Sequence, residues 1–183
     1  MRPVIQIVNE SYKDPRSVYF VTRYVTHNKD GSWLQFCGSP NTNIRDIEGQ
    51  MMYVKRYFGK MSGRQVRHFF ISFDNESGLI PPDLDRIGMN VCYYYSDRYQ
   101  IVYGVHEDTD HLHIHFAMNT VSYVDGSMYS SGYEDSYRLT NYVTDVLKKY
   151  NKDIDDLEST PSFIYNDGSL SDDPVQLYQD MPI

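Results

Sequence analysis

Cysteine is almost missing from this chain. Only Cys37 and Cys92 occur among 183 residues, and without a CxxC spacing they predict neither a disulfide framework nor a thiolate zinc site. A reducing cytoplasm suits that economy. No apolar run approaches the roughly 18 residues that a membrane-spanning helix needs, and the start, Met1-Arg2-Pro3-Val4-Ile5, is too short and polar for a signal peptide. The expectation is a soluble, cytoplasmic protein with no membrane insertion. Positive charge is also scarce: 17 Lys and Arg stand against 25 Asp and Glu, a net charge of -8, which at first argues against a polyanionic partner. The length accommodates one domain with a sizeable core and is too short to promise two.

The distribution of charge reverses that first impression. Residues 1–70 hold 11 basic and 5 acidic side chains, residues 71–150 hold 5 and 12, and residues 151–183 hold 1 and 8. Within the basic segment Lys55, Arg56, Lys60, Arg64 and Arg67 are interleaved with Tyr53, Tyr57 and Phe58, a mixture suited to phosphates and stacked bases and equally to a solvated helix face. Tyrosine is abundant, with 18 residues, so many of them must be partly exposed.

The most informative stretch is His106-Glu107-Asp108-Thr109-Asp110-His111-Leu112-His113-Ile114-His115-Phe116-Ala117-Met118-Asn119, which contains four of the six histidines. Along a strand, side chains alternate faces, so His111, His113 and His115 share one face while Leu112, Ile114 and Phe116 share the other. Two histidines spaced by one strand residue can serve the same divalent ion, and His106 offers a third imidazole. A ligating histidine usually gives its other N–H to a carboxylate or carbonyl, a role for which Asp108 is the candidate. His68, Asp74 and Glu76 are weaker candidates from a neighbouring segment.

The remaining pattern predicts alternating elements. Strands are expected at Val4–Val8, His68–Phe73 and Gln100–Val105, the last leading into the histidine run. Helices are expected at Ser17–Thr26, Ile44–Phe58, Pro81–Ser96 and Glu134–Tyr150, with turns at Lys29-Asp30-Gly31 and Asp125-Gly126. Residues 1–150 then form one α+β domain, an antiparallel β-sheet sandwiched by helices. Residues 151–183, acidic and punctuated by Pro161, Pro174 and Pro182, are expected to be a tail or a loosely packed extension.

These motifs resemble the relaxase, or mobilisation-nuclease, family of the HUH endonucleases, in particular its MobP-type members. The resemblance lies in His106, Asp108, His113, His115 and Asn119 at their spacing, in Arg67-His68-Phe69-Phe70-Ile71-Ser72-Phe73, and in Arg23-Tyr24-Val25-Thr26-His27-Asn28-Lys29. It implies nicking and strand transfer at the transfer origin of a plasmid or conjugative element, through a covalent 5′-phosphotyrosine. By this likeness Tyr24 is the nucleophile, with Tyr19 second, and His106, His113 and His115 are the metal ligands. Asp108, His111 and Asn119 support them, and Ser72 touches DNA along with Lys55, Arg56, Lys60, Arg64 and Arg67. The ion expected is Mn2+ or Mg2+, although Zn2+, Ni2+ and Co2+ also suit three imidazoles.

The resemblance further implies single-stranded or hairpin origin DNA as substrate, with an accessory DNA-binding protein and a type IV secretion coupling protein as partners. Other classes stay open from sequence. A rolling-circle replication initiator or transposase of the same superfamily carries its tyrosine on a helix after the histidine strand, where Tyr137 and Tyr142 lie. A metal-dependent phosphohydrolase needs no tyrosine, and a non-catalytic DNA-binding module needs no histidines.

Overall fold

The computed structural model describes residues 3–107 and 111–150, together with the backbone of residues 163–165. Five strands form an antiparallel set: β1 (Val4–Ile7), β2 (Cys37–Gly38), β3 (Val66–Phe73), β4 (Ile101–His106) and β5 (Leu112–Asn119). A sixth, β6 (Phe163–Tyr165), runs parallel to β1, giving the spatial order β2-β4-β5-β3-β1-β6. Four helices cover the sheet: α1 (Ser17–Thr26), α2 (Ile47–Tyr57), α3 (Pro81–Cys92) and α4 (Tyr133–Tyr150).

Each helix reads from its sequence. Pro15 precedes α1, and Val18, Val21 and Val25 recur at helical spacing to give a buried stripe. Thr22 and Thr26 donate their hydroxyls to the carbonyls of Val18 and Thr22, so these buried polar groups are satisfied within the helix. α3 opens on Pro81 and Pro82, where missing N–H groups cost nothing, and Asp83 accepts from the Ile80 amide. The expected helix from Ile44 is instead a 3-10 turn at Ile44–Asp46 followed by α2, because the Asn43 side chain caps the turn through the Arg45 amide.

Both faces of the sheet are covered, with different chemistry on each. Phe69, Ile71, Tyr103, Ile114, Phe116 and Met118 pack beneath Leu84, Ile87 and Val91 of α3 and Leu139 and Val143 of α4. On the other face Val66, Val102 and Ala117 meet Val18, Val21 and Val25 of α1 and Met51 and Met52 of α2. The antiparallel α+β sandwich expected from sequence is therefore the fold. Two short strands, β2 and β6, escape the pattern because two or three residues carry no readable periodicity.

Candidate active site

Register builds the site. β4 and β5 pair so that His106 lies opposite His113 and Gly104 opposite His115, while β3 brings Ser72 opposite His113 and Phe70 opposite His115. Cross-strand partners share a face, so His106, His113, His115, Ser72 and Phe70 all look towards α1. His106 and His115 have ring centroids 4.6 Å apart, and His113 and His115 are 6.0 Å apart. His68, two residues before Phe70, joins them: its Nε2 and the Nδ1 of His115 share a hydrogen bond of 3.1 Å. The phenyl ring of Phe70 stacks on His115 at 4.9 Å.

Tyr24 descends from α1 onto this cluster. Its ring centroid lies 5.1 Å from His115, 5.3 Å from His106 and 5.6 Å from His68. Gly104 permits the approach, since a Cβ at that position would stand 1.8 Å from the Val25 carbonyl oxygen. That same carbonyl accepts a hydrogen bond from His106 Nε2 at 3.3 Å. Tyr19, by contrast, sits on the outer side of α1, exposed, with the Arg23 guanidinium over its ring. Tyr137 and Tyr142 belong to α4, on the opposite side of the sheet; Tyr137 is exposed and Tyr142 donates to the Asn90 carbonyl.

The electrostatics keep His68 and His115 uncharged. Burial, reinforced by His106, pushes His68 down to about 3. Burial likewise holds His115 well below the ordinary histidine range, helped by His106, His68 and His113. A neutral imidazole is the form that binds metals and accepts protons. Among the described residues, no three His, Cys, Asp or Glu side chains stand in a metal-holding arrangement. In donor chemistry His106, His113 and His115 fit a divalent ion, being imidazoles on one face of two paired strands.

A family model described as relaxase, MobA/VirD2-like, nuclease domain, matches residues 23–152. The chain belongs to the relaxase family. Searches of curated proteins and of solved structures each found no match. The match takes in Tyr24, all of the clustered histidines and Ser72.

Several residues expected at this relaxase's DNA or metal site stand elsewhere. Lys55 is fully buried, donating to the Gln65 carbonyl at 2.6 Å and Asn119 Oδ1 at 2.7 Å, so it is a strut beneath α2 rather than a phosphate contact. Asn119 is correspondingly not beside the histidines. It lies four residues beyond His115, about 13 Å along an extended strand, where its side chain clips Lys55, Gln100 and the Met51 carbonyl together. Arg67 faces the opposite side of the sheet with 1% of its side chain exposed, paired with Asp135 at 3.1 Å and lying over the Tyr129 ring.

The other candidates remain in accessible places. Arg56 and Lys60 are exposed, Arg64 is half-buried, and Ser72 is half-buried beside His113. His111 is exposed, its ring 6.4 Å from His113. Asp108 lies outside the described residues. Glu76 is exposed, and Asp74 is held below the usual carboxylate range, chiefly by the Glu76 amide, with His111 a lesser influence. Gly104 and Phe70 were missed from sequence. A glycine inside an apolar strand segment was the available signal for Gly104, whereas Phe70 gave none, since an aromatic in a strand reads as core.

Proposed function

We propose that this relaxase domain nicks one strand of DNA at a transfer origin through a 5′-phosphotyrosine on Tyr24. The observation that carries the reading is the seating of Tyr24 over His106, His115 and His68. A phenol with an ordinary pKa near 10 is a weak nucleophile and needs a neighbouring base or cation. In the reaction the Tyr24 Oη–P bond forms and the P–O3′ bond breaks. The phenol proton passes to a neutral imidazole, and the departing 3′ oxygen takes up a proton.

His106, His113 and His115 would hold the divalent ion, Mn2+ first and Mg2+ second. When bound, the ion supplies positive charge to the scissile phosphate oxygens. His68 orients His115 through their shared hydrogen bond, and Ser72 beside His113 is placed to contact the strand. Arg56, Lys60 and Arg64 supply phosphate contacts. An accessory DNA-binding protein and a type IV secretion coupling protein complete the proposed assembly. Tyr137 and Tyr142 lie on the helix after the histidine strand, but α4 packs on the sheet face opposite the histidines, which disfavours the replication-initiator arrangement.

The test is a denaturing gel of the purified protein with labelled single-stranded origin DNA and Mn2+, with and without EDTA, followed by mass spectrometry of the shifted band. The expected adduct maps to Tyr24, disappears with EDTA and is absent in Tyr24→Phe. An adduct that survives Tyr24→Phe and maps to Tyr19, Tyr137 or Tyr142 would replace this nucleophile.

A further inference from the structure

Beside the tyrosine site, on the outer flank of α1, lies a cleft of about 340 Å³, within the range of small-ligand sites, roughly 300–1,000 Å³. Its wall is the stripe Tyr19, Thr22, Arg23 and Thr26 of α1, the i, i+3, i+4, i+7 set of one helical face. Met52 and Ile47 of α2, both buried, also line it. Opposite stands Trp33, the chain's single tryptophan, 45% exposed, with its ring 4.1 Å from His27 and tilted 36°.

The tryptophan is held in place rather than draped over the surface. The turn between His27 and Trp33 is closed by Asn28 N to Ser32 O at 2.8 Å and by Leu34 N to Thr26 O at 3.0 Å. Asp30 accepts from both the amide and the hydroxyl of Ser32. An aromatic plane fixed before its ligand arrives loses little freedom on binding.

Three arginines frame the opening: Arg23, Arg45 and Arg56. Among the described residues none of them makes an ion pair, so their guanidinium groups remain available for phosphate. Asp46 and Glu48 also line the cleft and repel a multiply charged ligand. A nucleobase joined to singly charged diester phosphates satisfies both constraints, whereas a free nucleoside polyphosphate does not.

We infer that this cleft is a base-binding subsite: an unpaired nucleobase stacks on Trp33 while Arg23, Arg45 and Arg56 hold the adjoining backbone. The inference rests on the DNA-nicking reading, and Arg23 and Tyr24 being consecutive in α1 explains the link.

Because Trp33 is the sole tryptophan, its emission reports the subsite directly. Titration with a single-stranded thymidine oligonucleotide should quench that emission, and an abasic oligonucleotide of equal length should leave it nearly unchanged. Measured by anisotropy, Trp33→Leu should weaken thymidine-oligonucleotide binding roughly tenfold or more, and Trp33→Phe, which keeps a stacking plane, should retain most of it. Absence of quenching, equal quenching by the abasic strand, or unchanged affinity in a folded Trp33→Leu protein overturns the subsite. Quenching and adduct formation, read together in the wild-type protein, separate the two readings. Quenching by oligonucleotide without any covalent adduct in the wild type sustains the subsite and removes the nucleophile, while an adduct without quenching removes the subsite alone.

Discussion

His68 shows how much one buried residue can set. Tyr12 Oη lies 3.5 Å from its Nδ1, and its Nε2 bonds to His115 Nδ1. If His68 carries its proton on Nδ1, towards Tyr12, its Nε2 accepts from His115 and leaves His115 Nε2 bare, the tautomer a metal ligand requires. Replacing His68 by Gln should therefore weaken Mn2+ binding about 10–100-fold, as read by calorimetric titration, while leaving the thermal melt of the metal-free protein near that of the wild type. Lys55 makes a different use of burial, which pushes its ammonium down from 10.5 to about 7. Between those values the unfolded chain holds one proton more than the folded one, so stability must rise with pH from about 7 to about 10. The expected slope is at most about 1.4 kcal/mol per pH unit. It should appear as the pH-dependent part of the difference between wild type and Lys55→Met in urea titrations.

At the scale of elements, the contact that matters most is α1 on β4. It depends on Gly104, where the helix backbone occupies the space of a side chain. A methyl group there forces α1 outward, and overpacking of this kind costs about 1–3 kcal/mol. Gly104→Ala should lower the denaturation midpoint accordingly. It should also slow adduct formation about a hundredfold, because a shift of the order of 1 Å between Tyr24 and the histidines misplaces the reacting atoms. DNA affinity should fall less than the rate, since Arg56 and Lys60 are not displaced even though Arg23 moves with α1. A change that reduced stability but left the rate intact would show that the seating of Tyr24 tolerates movement of α1.

Across the whole molecule, the two faces of the sheet divide the work. The α1 and α2 side carries the histidines, Tyr24 and the cleft, and the α3 and α4 side is an apolar layer in which a polar knot sits. In that knot Asp135 of α4 receives Arg67 Nη1, Tyr95 Oη and Tyr129 Oη. Removing the carboxylate strands a buried guanidinium, a loss of about 3–5 kcal/mol. Asp135→Ala should accordingly be strongly destabilised in urea titration, with the folded fraction keeping wild-type affinity for DNA, because Arg67 is buried on the sheet face opposite the histidines. Among the described residues no helix is long and apolar enough to cross a membrane.

The sequence by itself determined the elements and the face of the site. Period-2 alternation put His113 and His115 opposite Ile114 and Phe116, helical spacing marked α1 from Ser17 to Thr26, and the histidine spacing identified the family. Local pattern settles such things because backbone geometry alone fixes which residues share a face. It could not tell which cations lie in solvent: Lys55 and Arg67 sit among exposed basic residues in the chain, yet both are buried by elements distant in sequence, through Asn119 and Asp135. Nor could it set Tyr24 apart from Tyr19, Tyr137 and Tyr142 by position. The seating of Tyr24 over the histidines comes from strand register and from the depth to which α1 sinks over Gly104, and both are properties of packing between segments that no local pattern encodes.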